Sequence, residues 1–384
     1  MRLLFVIDND EPHASGGGYY APFKFAQFLA RRGHEVLAYA AHDLGWVRPE
    51  PRLRLLFRPT LPRRVRILRK ADKLLARAAD RIILMPAAAA HRPDWVFGVL
   101  KESAIKAVAV GRAVGARVAN FVYETPLWLR DMAGEEASAR EYTGYTRDLW
   151  EATRRAYLAS DRLFPNSALA GEWAARWLDG RVVAPPIPPG VDPDEMPFEA
   201  GAGAGSDRAP AGRLLYVGRL APMKRVGDLI EACRRLDPIP ALDLVGEGPE
   251  EARLRALAAD RPEIRFHGFV DDPTLWRMYA ASDLVVCPSA FEGFGMPPMQ
   301  ALYFARPCLV SDIPIFRSIY GDHVDRFPLG DVDALAQAIR RLLADPAGRA
   351  RRGAEGRRFV LENFTWAESA RRIEAALAAA EPAR

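Results

Sequence analysis

Cysteine is scarce in this chain: Cys233, Cys287 and Cys308 are the only three in 384 residues, and none sits in a C-x-x-C pair or beside a histidine cluster. That excludes a zinc ribbon or a disulfide framework and suits a reducing cytoplasm. Long apolar runs are missing as well. No stretch approaches the ~20 apolar residues of a membrane span, so the expectation is a soluble or peripheral protein. The opening MRLLFVID has one positive charge and runs straight into acidic residues without a small-residue cleavage signal, and it reads as a first strand, not a signal peptide. There is no G-x-S-x-G motif. The six histidines, His13, His34, His42, His91, His267 and His323, are scattered, and His34 and His267 read as structural.

Acidic residues are rare in one place. Between Arg52 and Arg92 there are twelve Lys and Arg against two Asp, an excess of ten positive charges in a chain whose net charge is +5, so everything else carries a net −5. Much of this segment reads as a helix from Val65 to Ile83. Val65, Leu68, Leu75, Ala78 and Ile82 recur near helical spacing, and Arg64, Arg66, Arg69, Lys70, Lys73, Arg77 and Arg81 fill the rest. Such a helix suits an anionic membrane at the inner face of the cell membrane, or an anionic acceptor; a solvated face in an Arg-rich chain is the plainer account. Nucleic acid is disfavoured, because aromatics are not interleaved with the basic residues.

At 384 residues the chain exceeds one ordinary core and suggests two domains. Strand and helix patterns alternate throughout, as a parallel sheet with helices on both faces requires. The strand candidates in the first half are Leu3 to Asp8, Glu35 to Ala41, Trp95 to Leu100, Arg117 to Tyr123 and Arg162 to Ser167, with a helix from Tyr20 to Arg32 capped by Gly33. Those in the second half are Arg213 to Arg219, Ala241 to Glu247, Glu263 to Phe269, Asp283 to Ser289 and Pro307 to Asp312. Between the halves, Ala184 to Gly212 holds seven prolines and five glycines and reads as a hinge or linker. The expected fold is α/β, two doubly wound Rossmann-like domains facing across a cleft. The expected boundaries are 1–187, a linker at 188–212, 213–363, and a C-terminal helix at 364–384 that could finish either domain, by packing back on the first or staying with the second.

Strand ends followed by glycine turns and helix starts mark the candidate sites. Gly16, Gly17 and Gly18 lie between the first strand and first helix, where backbone N–H groups can meet a diphosphate, although such turns also serve only to reverse the chain. The second half opens with VGRLAPMKRVGDLI, which puts Gly218, Arg219 and Lys224 at a strand end; two cations there suit a departing diphosphate. In LVGEGPEEARL, Gly246 and Gly248 imitate a dinucleotide fingerprint without its third glycine, so a NAD site is weakly supported. FEGFGMPPMQAL sets Glu292 between a buried strand and a helix, over a bound small molecule. The acid pairs Asp8/Asp10 and Asp271/Asp272 are explained by caps or turns, and neither a metal nor any other cofactor is expected.

RRGHEV, PPGVD, VGRLAPMK, LVGEGP, FHGFV and FEGFGMPPMQAL, in this order, resemble the retaining nucleotide-sugar glycosyltransferases of family four, which have the GT-B fold. The resemblance implies a metal-independent transfer of a hexose from a nucleotide-diphosphate sugar to a hydroxyl of a glycan, glycolipid or small molecule. It gives the first domain to the acceptor and the second to the nucleotide sugar. Gly16 to Gly18, Arg219 and Lys224 would hold the diphosphate, and Glu292 the sugar hydroxyls. Phe294, Gly295 and Met296 would offer backbone N–H groups, and Phe269 and Val270 would receive the base.

Two positions depart from the family pattern. Where a second glutamate usually reaches the ribose stands Gln300, whose carbonyl can accept one hydrogen bond without the strength of a charge. Where many relatives carry a histidine and an acid stand Tyr123 and Glu124, either of which could orient a substrate, with Glu124 the nearby candidate for proton handling. Trp128 and Tyr123 could stack on acceptor sugar rings. These departures keep open a glycosyltransferase-like subunit that binds without turning over, and, at greater distance, an NAD-dependent oxidoreductase.

Overall fold

The structure, a computed structural model, describes residues 1–7, 17–41, 49–60, 66–99, 101–127, 130, 145–198 and 212–379. The chain divides into two compact units, Met1–Pro189 with Trp366–Arg384, and Gly190–Thr365.

In the first unit β1 (Arg2–Ile7), β2 (Glu35–Ala40), β3 (Leu53–Phe57), β4 (Trp95–Val99), β5 (Arg117–Val122) and β6 (Arg162–Pro165) form one sheet in the order β3-β2-β1-β4-β5-β6. In the second unit β7 (Arg213–Val217), β8 (Ala241–Val245), β9 (Ile264–Gly268), β10 (Leu284–Cys287), β11 (Cys308–Ser311) and β12 (Asp325–Phe327) lie in the order β12-β11-β10-β7-β8-β9. Every pairing in both sheets is parallel. Each unit thus has the same doubly wound order. It reverses beside its first strand, between β1 and β4 in one sheet and between β7 and β10 in the other, and such reversals open a crevice at the carboxyl ends of the strands.

The sequence dictates this order through continuous apolar strands, which only a sheet covered on both faces can bury. In the first unit Phe5, Phe97, Phe121 and Phe164 stack along one face, Phe5 on Phe97 at 4.4 Å and Phe121 on Phe164 at 5.4 Å. Leu4, Val6, Leu37, Tyr39, Val96 and Val118 fill the other. The helices α1 (Gly17–Arg31), α2 (Arg66–Ala79), α3 (Met85–His91), α4 (Lys101–Val114), α5 (Tyr145–Leu158) and α6 (Ala168–Trp177) accompany this sheet, with a π-helical turn at Asp80–Leu84. Gly33, at φ +94°, ends α1 as expected of a left-handed cap.

The second core gathers around Leu214, Tyr216, Leu244, Leu284 and Ile339. Its helices are α7 (Val226–Arg234), α8 (Glu251–Leu257), α9 (Asp272–Ala281), α10 (Met296–Tyr303), α11 (Pro314–Tyr320), α12 (Val332–Leu343) and α13 (Pro346–Asn363). The last helix, α14 (Trp366–Ala378), belongs to the first unit. Trp366, Ser369, Ala370, Ile373 and Leu377 form its buried stripe, and Trp366 meets Phe25 edge-on at 5.4 Å.

Three sequence readings change. β3 and β12 were not anticipated: β3 is half-buried with Arg54 in its middle, and β12 has three residues. The basic helix ends its regular α-turns at Ala79, and its apolar face was misassigned. Ala78 is exposed and Ile82 is 73% exposed, while Asp72, Ala76 and Ala79 point inward. The reason is Asp72, whose fully buried carboxylate faces the equally buried Arg58 guanidinium at 3.5 Å and turns the helix by its polar residue. Finally, the Pro-rich stretch begins as packed structure: residues 187–192 are buried, and Val191 N–H donates to Phe364 O at 2.8 Å.

Candidate functional site

In the second unit the two strands flanking the reversal, β7 and β10, each end in a loop that carries one of the expected charged residues. After β7 a 3₁₀ turn, Pro222–Lys224, is closed by Arg225 in the left-handed region at φ +51°. After β10 the chain runs through Ser289 and Glu292 to Gly295 at φ +89°, and α10 begins. Ala290 N–H donates to Met223 O at 2.8 Å and locks one loop to the other. Lys224 Nζ thereby reaches Glu292 Oε1 at 2.6 Å. The same oxygen accepts from Ser289 Oγ at 2.9 Å, and Ser311 Oγ in turn donates to Ser289 O. Oε2 of Glu292 has no hydrogen-bond partner among the described residues and can accept from a ligand hydroxyl. Both side chains are mostly sheltered, 19% and 14% exposed, so their charges act through a medium less polar than water.

The start of α10 is sparing with donors. Pro297 and Pro298 have no N–H, and burial keeps the Tyr320 phenol protonated, with the Met299 N–H turned to its oxygen. Among the described residues, the amides at this helix start without a partner are those of Phe294, Gly295 and Met296. Phe294 itself is core, packed on Tyr320 and Phe364. Gly295 cannot be replaced, because a Cβ there would stand 2.6 Å from the Phe316 ring.

Gly218, Gly246 and Gly248 have a packing role that the sequence did not reveal. A Cβ on Gly246 would fall 2.1 Å from Gly218 O, and one on Gly248 2.2 Å from Leu220 O. The turns after β7 and β8 thus close on each other backbone to backbone, tied by Leu220 N–H to Glu247 O at 2.9 Å. Arg219 is exposed on this edge with no carboxylate partner among the described residues. Phe269, just past β9, is 76% exposed, and Val270 beside it is half-buried. Asp271 caps α9 by accepting from Thr274 N–H at 3.0 Å, which explains one acid of that pair; Asp8 and Asp10 lie outside the described residues.

The Gln300 carbonyl accepts from the Tyr279 hydroxyl at 3.0 Å, which leaves its oxygen a second lone pair, and its Nε2 has no partner among the described residues.

In the first unit Gly17 and Gly18 form the start of α1, three residues earlier than expected, while Gly16 and Trp128 lie outside the described residues. Tyr123 and Glu124 follow β5. The Tyr123 hydroxyl is buried with no hydrogen-bond partner among the described residues, and burial holds its proton well above the usual phenol range. Glu124 is paired with Lys101 at 3.0 Å, and the Lys101 ammonium lies 4.1 Å from the Trp150 ring centroid. A carboxylate so held is an anchored acceptor of hydrogen bonds before it is a free base. Lys101, Ser289 and Tyr279 are the functional candidates that sequence reading missed. Each gains significance only from a partner brought in by the fold, and Lys101 alone left a trace, as a cation at a strand end. His34 and His267 are tied to Glu374 and Asp243, at 2.8 and 2.7 Å, as structural histidines would be.

Residues 209–359 match the family described as glycosyl transferases group 1. A glycogen synthase of Mycobacterium tuberculosis is 32% identical over 189 residues, 46% of this chain and 44% of its own length. A GDP-mannose-dependent alpha-(1-6)-phosphatidylinositol dimannoside mannosyltransferase of the same species is 31% identical over 174 residues, 43% of this chain and 44% of its own length. The chain thus spans less than half the length of these curated relatives. Among solved structures, a sucrose-phosphate synthase from Thermosynechococcus elongatus superposes with a TM-score of 0.80 over 98% of each chain at 20% identity. Residues 209–359 thus carry the segment shared with glycosyl transferases group 1, and two sheets of one doubly wound order together with the structural likeness give the chain the GT-B fold.

Proposed function

We propose that this chain moves a hexose from a nucleotide-diphosphate sugar to a hydroxyl acceptor, with retention at the anomeric carbon and without a resident metal. The observation that carries the reading is the Lys224–Glu292 contact at the sheet reversal. A cation and a carboxylate fixed side by side fit the two ends of such a donor. Lys224, with two further N–H donors and Arg219 on the same edge, can neutralise the diphosphate as its bond to the sugar breaks, which is where charge develops. Oε2 of Glu292 can accept from a hydroxyl of the transferred sugar and fix the anomeric carbon beside the diphosphate. The acceptor hydroxyl then attacks from the face the diphosphate leaves, and a phosphate oxygen takes its proton. Positive charge supplied by side chains makes a divalent cation dispensable. The mannosyltransferase relative, named as GDP-mannose-dependent, supports a nucleotide-diphosphate donor.

A thermal-shift screen with UDP, GDP, ADP and TDP and their sugars identifies the donor, because a ligand of the native state raises its apparent stability. With that donor, Lys224→Ala and Glu292→Ala should each cost about a hundredfold or more in transfer rate, and chelator should leave the parent rate unchanged. Parent-like rates in both variants overturn the roles. Parent protein that binds donor but never turns over favours the second reading, a binding subunit, which Gln300 motivates. The NAD alternative loses support, since Gly246 and Gly248 are occupied by backbone packing.

A lipid-linked acceptor and peripheral membrane contact are part of the proposal. Among the described residues no helix is long and apolar enough to cross a membrane. The exposed side of the basic segment, however, carries Leu74, Ala78 and Ile82 beside Arg77 and Arg81, an apolar stripe edged with positive charge.

A further inference from the structure

Two buried serines hold the Glu292 loop in a way that the Lys224 ion pair alone does not explain. In the sheet β10 lies between β7 and β11, and the chain leaves it through Pro288, which has no N–H to give. The next peptide unit, joining Ser289 to Ala290, is caught on both edges. Its N–H donates to Met223 O in the loop after β7, at 2.8 Å, and its carbonyl accepts from the hydroxyl of Ser311, the last residue of β11. A side chain thus continues the ladder where the backbone stops pairing. Ser289 is 2% exposed and Ser311 is fully buried, so water does not compete for these bonds. With its peptide clamped, Ser289 donates its own hydroxyl to Glu292 Oε1 at 2.9 Å, and Lys224 Nζ donates to the same oxygen at 2.6 Å. Two donors occupy the two lone pairs of Oε1, and Oε2 is the oxygen left to a ligand.

We infer that Ser289 is a positioning residue for Glu292, and that Ser311 acts one step further back by holding the Ser289 peptide. The inference rests on the nucleotide-sugar reading, in which Glu292 meets the transferred sugar and Lys224 the diphosphate. A glutamate side chain turns about three bonds, and ordering it only when the donor arrives would cost affinity. Lys224 is a poor sole anchor. Its ammonium is a compact charge on a flexible stem that serves either carboxylate oxygen, and a bound diphosphate draws it away. The Ser289 hydroxyl is directional and neutral. It leaves the carboxylate its charge and is held by its clamped backbone, so Glu292 keeps its orientation while Lys224 turns to the phosphates. The serines should therefore matter for the sugar half of the donor and not for the nucleotide half.

The test is calorimetric titration of the intact protein with UDP-glucose, GDP-mannose and ADP-glucose, and with the bare diphosphate of whichever binds. The ratio of the two dissociation constants reads the sugar contact alone. Ser289→Ala should worsen that ratio about tenfold and leave the bare diphosphate within about twofold of the parent. Ser311→Ala should act in the same direction by about threefold. Ser289→Cys keeps a weaker donor and should fall between parent and alanine; it also supplies the measurement if the alanine protein does not fold. In a Glu292→Ala background, adding Ser289→Ala should change the ratio no further, because the group through which it acts is gone, whereas a general structural defect would persist there. If Glu292→Ala spoils the ratio and Ser289→Ala does not, or if the serine effect survives without Glu292, the positioning role is overturned and the donor reading stands. If no nucleotide sugar binds the parent, or Glu292→Ala leaves the ratio as it was, the donor reading of Glu292 falls and takes this inference with it.

Discussion

Lys224 and Glu292 are 68 residues apart in the chain and 2.6 Å apart in space. Both were legible in sequence, because each follows an apolar strand and precedes a glycine- or proline-marked helix start, and a doubly wound sheet gathers such turns at one edge. Their mutual contact was not legible, because it depends on which two strands flank the reversal. The same limit hid Lys101 beside Glu124 and Tyr279 beside Gln300. The glycines show the opposite limit: Gly246 and Gly248 were legible as candidate ligand contacts, and their close backbone packing was not. Replacing Gly246 by alanine puts a Cβ 2.1 Å from Gly218 O at a φ of +124°, a collision with backbone that no side chain can relieve. Gly246→Ala should lower the unfolding free energy by about 2–4 kcal/mol, read from urea midpoints. It should disturb nucleotide affinity no more than a similarly destabilising core change does; a selective loss of binding would assign Gly246 to the ligand.

Elements were legible in proportion to their burial. The central strands, apolar from end to end, stood out, whereas β3 and β12 at the sheet edges lack the uninterrupted run. The face of α2 was misread for a different reason: periodicity counts apolar residues, and here the inward position is an ion-paired aspartate. The face left outside makes its own prediction. Leu74→Ser with Ile82→Ser should cut co-sedimentation with anionic vesicles at low salt several-fold, with little change in stability, since both residues are already exposed at 65% and 73%. Unchanged sedimentation would remove the apolar stripe from any membrane role.

The last helix offers a pH test. Burial pushes the Glu374 carboxyl up, but hydrogen bonds from Arg32 and His34 outweigh it and leave the group below its ordinary value of 4.5. A carboxylate lowered in the folded state stabilises above its unfolded value, and the contribution disappears as pH falls below about 4.5 through the folded one. Because both side chains of the Arg32–Glu374 pair are partly solvated, its worth is about 0.5–1 kcal/mol. Glu374→Gln should therefore be less stable than the parent by that amount at pH 7, and the deficit should shrink as pH falls below the ordinary value of 4.5. A deficit that persists in acid would trace the effect to packing.

At the scale of the whole molecule the chain passes between units twice, after Pro189 and after Thr365, so the first unit is discontinuous in sequence and the second is not. Composition could not assign the last helix, because a buried stripe on α14 fits any core. The assignment rests on Trp366, 1% exposed, against Tyr20 and Phe25 of α1, and on Ser369 Oγ donating to Pro188 O at 2.7 Å. Separate cores should respond to separate perturbations. Trp366→Ala removes a buried indole from the first core and should lower the stability of that unit by about 3–5 kcal/mol. The nucleotide that binds best should act on the other, since Lys224, Glu292 and Gln300 all lie within Gly190–Thr365. At a hundredfold excess over its dissociation constant it adds about 2.7 kcal/mol. Scanning calorimetry of the intact chain should then show the Trp366→Ala change in one transition and the nucleotide shift in the other. If the nucleotide raised only the transition that Trp366→Ala lowers, the diphosphate site would have to be moved out of the second unit, and the Lys224–Glu292 pair would revert to a loop-fixing salt bridge.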